Sequence, residues 1–203
     1  MLTRTASLRC VRSWLAGIAG LICLWCLPVA PAHAQLAVAG DLDLVRPVAI
    51  DDLGMGGSLG LRLGTEWQGR LAVITPELGV SYSLFTKRGN QEYPPAVFRG
   101  VAGLRLGFML GMSARLGMMA HVGVGYVQWS KHWYDDPYSE KRGYQDLSHS
   151  CFTYDAGVFL DFIVTWTTTF GLHVAYNRVT DDHKQNEPLD WLQFGLHGAL
   201  LAL

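Results

Sequence analysis

Nucleophilic chemistry needs a serine close to a histidine, and the chain has Ser148, His149 and Ser150 in succession. A serine becomes a nucleophile when a histidine takes its proton and an acid orients that histidine. Consecutive residues of a strand point to opposite faces, so these three side chains cannot form such a relay by themselves. We therefore interpret the segment as a polar loop end, and the sequence predicts no catalytic residue and no enzymatic activity.

Acidic residues and histidines raise the question of a metal site. Residues 135–136 are Asp-Asp and residues 181–183 are Asp-Asp-His, but neither stretch has the looped D-x-D-x-D-G spacing that calcium sites use. His121, His173 and His197 share one face of alternating segments, and zinc would need them to converge at one height. Hydrogen bonding inside the protein accounts for these histidines more simply, so the sequence predicts no metal site and no cofactor.

These side chains belong to segments in which apolar and polar residues alternate with a period of two. Such alternation is typical of strands with one apolar face. We predict eight strands, at about 36–45, 57–66, 72–85, 97–108 and 114–129, two within 154–177, and one at about 190–203. Pro76 lies within the third strand and predicts a bulge there, because proline cannot donate a hydrogen bond to the ladder.

The predicted connections alternate between tight and long. They are tight at 66–70, 109–113 and 164–168, and longer at 46–56, 86–96, 130–150 and 180–189. This sorting is typical of an up-and-down membrane barrel. The loop at 130–150 is the most distinctive, since it combines charges of both signs with Trp133, Tyr134, Tyr138 and Tyr144. It suits either contact with a surface partner or an ordinary solvated loop.

The face opposite the apolar one contains mostly small residues, with one or two charges per strand. That density is too low for a soluble exterior, but it suits the narrow interior of an eight-stranded barrel. Charges of both signs could pair across that interior. We therefore predict a polar lumen network of Asp41, Asp43, Arg62, Glu66, Glu77, Arg99, Arg105, Arg115, His121, Asp155, Asp161, His173, Asn177, Gln193 and His197. A soluble barrel of the lipocalin kind, with the opposite orientation, is the alternative.

Aromatic residues concentrate near the predicted strand ends, as expected of the two interfacial girdles of a membrane barrel. Trp67 and Trp166 lie at tight turns. Near the long loops are Tyr82, Phe85, Phe98, Tyr126, Trp129, Phe152, Tyr154, Tyr176 and Trp191. Cys151 is interpreted as a small residue at the same level, facing lipid or the girdle.

The first 34 residues have the features of a secretory signal peptide. Three arginines precede an apolar stretch at 13–27, and Ala32-His33-Ala34 is a small-x-small cleavage sequence. The apolar stretch is short for the alternative, an anchor helix, which needs about 20 residues. Cleavage would remove 3 of the 16 basic residues and none of the 17 acidic ones, leaving a formal charge of -4. This charge, without a basic stripe, gives no reason to expect nucleic acid as a partner.

The mature chain, 35–203, resembles the small outer-membrane β-barrel family of Gram-negative bacteria, of the OmpA transmembrane-domain, OmpX and OmpW type. The resemblance rests on the signal peptide, the alternating strands, the sorted loops and phrases such as TPELGVSYSLF and GLHVAYNRV. It implies an all-β, eight-stranded antiparallel transmembrane barrel, integral to the outer membrane and monomeric. It also implies contact with membrane lipid, lipopolysaccharide and the outer-membrane assembly machinery.

Three functions are compatible with this resemblance. The first is a structural or surface-interaction role with a closed polar lumen. The second is a porin-like channel or transporter for small solutes, and the third is a lipid A-modifying acyl hydrolase or transferase. Barrels of this family usually end in an aromatic residue, whereas this chain ends GALLAL. Leu201 and Leu203 also break the alternation, which predicts either a bulge in the last strand or a degenerate assembly signal.

Overall fold

Eight antiparallel strands form a closed barrel in which each strand pairs with the next and the last pairs with the first. The computed structural model describes residues 34–48, 53–69, 71–87, 94–135, 142–180 and 188–202, apart from the side chains of 129–147 and 149. The strands are β1 (Ala34–Pro47), β2 (Leu53–Gln68), β3 (Ala72–Lys87), β4 (Ala96–Leu110), β5 (Ala114–Asp135), β6 (Arg142–Thr165), β7 (Thr168–Thr180) and β8 (Leu189–Ala202). The predicted fold class is confirmed. No helix in these ranges is both long and apolar enough to cross a membrane.

The alternation of the sequence becomes the two faces of the barrel wall. In β1, for example, Asp43 and Val45 are buried inside, whereas Leu42 and Leu44 are exposed outside. Closure is regular, since β1 and β8 keep one register from Leu36↔Ala202 to Pro47↔Trp191. The predicted signal peptide falls almost entirely outside the described residues, and β1 begins at Ala34, the last residue of that prediction.

The bulge predicted at Pro76 is wrong. Gly64 pairs with Glu77, and Trp67 pairs with Ile74, so no extra residue is inserted on the β2 side. Pro76 itself stays in register opposite Leu104 of β4. Pairing with β2 is lost locally at Pro76, and this loss accommodates the missing N–H of proline. The shift in register lies instead between Gly54 and Gly57, where a Cβ on Gly56 would collide with the backbone of Leu84.

The segment predicted as a long loop at 130–150 is mostly strand. β5 runs to Asp135 and β6 starts at Arg142, with a register shift between Trp129 and His132. Aromatic residues in this segment favour extended backbone, which the loop prediction underweighted. Trp133, Tyr134 and Tyr144 belong to this hairpin extension, but their side chains lie outside the described part of the structure. Tyr138 lies outside it entirely.

The last strand is regular as far as the structure describes it. Leu201 pairs with Ala37 and Ala202 with Leu36, in the same register as the rest of the strand. The predicted bulge is therefore absent up to Ala202, and Leu201 points to the inside at the short-turn end. A degenerate assembly signal stays a prediction, since Leu203 lies outside the described residues.

Candidate functional site: the polar network of the lumen

The fifteen residues predicted to face the lumen all lie on the inner face of the wall. Thirteen are buried, and the other two, Asp41 and Arg62, have side chains that are only 8% and 10% exposed. The outer face is the reverse, because its middle is covered by exposed Leu, Val and Phe side chains such as Leu59, Leu61 and Leu78. A buried charge is costly unless it is paired, so the partners of these residues determine whether the interior is stable.

One half of the network begins at Arg62 on β2. Its guanidinium donates to both oxygens of Asp41, at 2.5 and 2.7 Å, and to Glu77 Oε1 at 3.0 Å. Glu77 Oε1 also lies 2.7 Å from His121 Nε2, and His121 Nδ1 lies 2.6 Å from Asp155. Both ring nitrogens of His121 thus face carboxylates, an arrangement that suits an imidazolium because it can donate from both nitrogens. Arg99 adds further pairs, to Asp155 and to the side-chain oxygen of Asn177.

The other half of the network is centred on Asp161 of β6, which is fully buried. Arg115 Nε donates to its Oδ2 at 2.5 Å, and Arg105 donates to its Oδ1 at 3.3 Å. His197 Nε2 lies 2.6 Å from the same Oδ1 atom. Arg115 also pairs with Glu66, which lies nearer the short turns, with 2.8 Å between Arg115 Nη1 and Glu66 Oε2. Removing Asp161 would therefore leave several buried donors without an acceptor.

A third group contains two histidines at the seam where the barrel closes. His173 Nδ1 lies 3.3 Å from His197 Nδ1. On its other side, His173 Nε2 lies 3.2 Å from Asp43 Oδ1, and Gln193 donates to Asp43 Oδ2. Glycine stands opposite each ring, because Gly171 pairs with His197 and His173 pairs with Gly195.

The lumen is capped by an apolar cluster at the long-loop end. It consists of Val45, Leu53, Phe85, Val97, Val127, Cys151, Val179, Leu189 and Trp191. Phe85 packs edge-on against Trp191, and Arg99 lies 5.0 Å from the centre of the Trp191 ring. Phe85, Trp191 and Cys151 therefore point inward, which corrects their predicted place in a girdle or against lipid. The Cys151 thiol instead donates to the carbonyl of Gly125.

Other aromatic residues near the long loops agree with a girdle. Tyr82, Phe98 and Tyr126 are exposed on the outer face, and Trp166 is exposed at a tight turn. Trp129 belongs to β5, but its side chain lies outside the described residues.

Little free space remains among the lumen side chains that the structure describes. A cavity of about 50 Å³ lies between Asp41, Asp43, Arg99 and His173. That volume holds only a few water molecules. The described lumen side chains thus form a polar, ion-paired core below an apolar cluster.

Two motifs that the predictions did not use also lie in this interior. Gly-Leu-His occurs twice, at 171–173 and 195–197, and the antiparallel register sets each glycine opposite the other strand's histidine. This repeat on neighbouring strands could have indicated that the two histidines meet. Residues 56–60 also have the Gly-x-Ser-x-Gly spacing of a nucleophile turn. Ser58, however, is buried inside the regular strand and hydrogen-bonded to Ser83, so it is not presented on a strained turn.

The serines considered for catalysis lie on the outer face. Ser148 and Ser150 are both exposed, opposite Gln128 and Tyr126 of β5. His149 has the opposite parity, and its side chain lies outside the described residues. The two serines thus share the outer face of β6 at its long-loop end.

A closed eight-stranded wall with an apolar exterior and a polar, side-chain-filled interior is the architecture of the small outer-membrane β-barrels. No family model and no curated protein matches the chain. Solved structures do match. Neisserial surface protein A superposes with a TM-score of 0.57 at 9% identity, covering 83% of this chain and 98% of that one.

Two further structures match at a TM-score of 0.50. The attachment invasion locus protein Ail of Yersinia pestis is 10% identical and covers 85% of this chain and 99% of its own. The outer membrane enzyme PagL is 16% identical and covers 81% of this chain and 98% of its own. At these identities the likeness establishes a shared fold, and the resemblance seen in the sequence is confirmed at that level.

Proposed function

We propose that the protein is an integral outer-membrane β-barrel with a structural or surface-interaction role and a lumen closed by its own side chains. The observation that carries this proposal is the orientation of the wall. Leucine, valine and phenylalanine face outward in the middle of the strands, while arginine, aspartate and histidine are enclosed. Only a lipid environment makes this arrangement favourable, because exposing so much apolar area to water costs free energy.

The expected surroundings follow from this placement. Membrane lipid would contact the apolar belt, and lipopolysaccharide would contact the outer rim. Export through the predicted signal peptide and insertion by the outer-membrane assembly machinery would precede folding. The long β5–β6 hairpin is the natural place for contact with a surface partner, and a monomer is expected since a closed barrel has no free sheet edge.

Fractionation of cells that express the full chain tests this placement. We expect the protein to stay with the outer membrane after osmotic shock and to require detergent for release. A folded barrel should also migrate differently on detergent gels before and after boiling. Release of the mature protein by osmotic shock alone, without detergent, would contradict the proposal and support a soluble barrel.

The channel alternative predicts a continuous aqueous path, which the filled lumen does not favour. In planar lipid bilayers we expect the purified barrel to give no steady ion conductance above the background of protein-free membranes. The apolar cap and the ion pairs of Arg62, Arg99 and Asp161 are the physical reason, because they occupy the cross-section. A known porin reconstituted in the same way serves as the positive control. Reproducible unitary steps from this protein would overturn the closed lumen.

The proposal assigns no catalytic activity. A lipid A-modifying enzyme would need a serine, a histidine and an acid that converge at the membrane surface. Ser148 and Ser150 face outward, and His149 alternates with them along the strand. PagL is described as an enzyme, but the similarity to its structure is a similarity of fold and carries no residue of its chemistry to this chain.

A further inference from the structure

Two histidines face each other at the barrel seam. Their Nδ1 atoms are 3.3 Å apart, and His197 is 1% exposed. At this distance two N–H groups would repel each other, as would two lone pairs. One N–H and one lone pair would make a hydrogen bond instead, whereas a positively charged group between the rings would remove the repulsion between two lone pairs.

Carboxylates lie behind both rings, and the one on His197 favours a lone pair on the facing nitrogen of that ring, although Arg105 also lies 3.2 Å from His197 Nε2. His197 Nε2 lies 2.6 Å from Asp161, and His173 Nε2 lies 3.2 Å from Asp43. A carboxylate behind a neutral imidazole keeps the proton on the Nε2 atom and directs the Nδ1 lone pair forward. Carboxylate–histidine pairs of this kind orient the ligands of metal sites.

The space for these pairs depends on glycine. A Cβ on Gly171 would lie 2.5 Å from Asp161 Oδ1 and 2.6 Å from the His197 ring. A Cβ on Gly195 would lie 2.5 Å from the His173 ring and would overlap Asp43 Oδ1. Each histidine and its carboxylate thus occupy room that any other residue type at these two positions would fill.

A third donor approaches from β1. One carboxylate oxygen of Asp41 and one ring nitrogen of each histidine lie within 4.8 Å of one another. We propose that Asp41, His173 and His197 bind a divalent transition-metal ion of the zinc class. In a tetrahedral zinc site with Zn–N bonds of about 2.0–2.1 Å, two nitrogen ligands are about 3.3–3.4 Å apart. The observed separation of the two Nδ1 atoms meets that requirement.

The neighbourhood can complete the coordination. The cavity beside Asp41 and His173 leaves room for a water ligand in the fourth position. Arg62 donates to both oxygens of Asp41, and a hydrogen-bonded carboxylate is common among metal ligands. The Oδ1 atom of Asp43 is buried and makes no hydrogen bond, although His173 Nε2 lies 3.2 Å from it, so it can accept one from that ring or from a bound water.

The balance of charges in the lumen independently supports a bound cation. Among the side chains that the structure describes, lumen carboxylates outnumber lumen guanidiniums by six to four, namely Asp41, Asp43, Glu66, Glu77, Asp155 and Asp161 against Arg62, Arg99, Arg105 and Arg115. The His121 imidazolium reduces the deficit to one positive charge. A zinc ion that carries a hydroxide supplies that charge. A proton shared by the two rings would supply it too, but Asp41 as a third donor favours the metal ion.

The ion would have a structural role. Its ligands come from β1, β7 and β8, so it would tie together the first and last strands at the point where the barrel closes. The site lies in the lumen, away from the outer face where a lipid substrate would bind. The inference does not depend on the proposed membrane function, since it concerns the interior of the barrel.

Metal content of the folded protein tests the proposal. The full chain is isolated in detergent without a polyhistidine tag, stripped with a chelator while unfolded, and refolded with Zn²⁺ or Co²⁺ alone. We expect about one zinc per barrel and the visible absorption of tetrahedral Co²⁺ with nitrogen and oxygen ligands. Cys151→Ser should leave that spectrum unchanged, because the thiol is not a ligand.

Matched variants separate this site from adventitious binding. His173→Asn and His197→Asn should each lower the bound zinc at least tenfold, whereas His121→Gln, which alters another buried lumen histidine, should retain it. Bound metal is measured only in the heat-modifiable, folded fraction. If the ligand variants fail to fold, the wild-type stoichiometry and Co²⁺ spectrum decide the matter. Wild-type barrel without stoichiometric metal, or ligand variants that still bind one equivalent, would overturn the proposal.

Discussion

Replacement of Asp161 by asparagine is expected to destabilise the barrel by about 3–5 kcal/mol, the cost typical of breaking a buried ion pair by removing one partner. The side chain is fully buried and bonds to Arg115, Arg105 and His197. Asparagine has the same shape but no charge. It would leave two buried guanidiniums with too little negative charge around them.

Chemical unfolding of the refolded protein in lipid vesicles, followed by tryptophan fluorescence, measures this effect. Asp190→Asn provides the matched control. Asp190 also bonds to an arginine and to a hydroxyl group, Arg178 at 3.5 Å and Tyr176 at 2.7 Å, but it lies at the long-loop end of the outer face beside a partly exposed guanidinium. We expect a clearly smaller loss there. Equal losses for the two variants would mean that the lumen network contributes little beyond a surface pair.

The lumen residues could be predicted because parity alone decides the face of a strand residue. The pairs of lumen residues that contact each other could not be predicted. Arg99 and Asp155 are on β4 and β6, and their contact depends on the heights of two registers in a closed barrel. Those registers are the pairings of β5 with β4 and with β6, and no local pattern specifies how two of them combine across the lumen.

The apolar cap was missed for a different reason. Phe85 shares the parity of Ser83, and Trp191 shares the parity of Gln193, so the alternation already placed both of them inside. The expectation of an aromatic girdle overrode that signal, since girdle and cap residues occur at the same strand ends. The hairpin beyond Trp129 was missed because its charged residues resembled a loop, although its pairing continues to Asp135↔Arg142.

Replacement of Leu61 by arginine is the second large effect expected, and it tests the orientation of the whole wall. Leu61 lies near the middle of β2, with its side chain 63% exposed on the outer face. If that face contacts acyl chains, an arginine at the bilayer midplane costs about 2–4 kcal/mol. If the face contacts water instead, the same change is close to neutral, within about 0.5 kcal/mol.

Unfolding in phospholipid vesicles distinguishes these outcomes, with Met112→Arg as the matched control. Met112 is 94% exposed in the tight turn between β4 and β5, where the interface should reduce the cost to about 0–1 kcal/mol. A large loss at Leu61 together with a small one at Met112 would follow the depth dependence of a bilayer. Similar small effects at both positions would indicate a water-exposed wall, because only hydrocarbon makes the cost of a charge depend on its height along the strand.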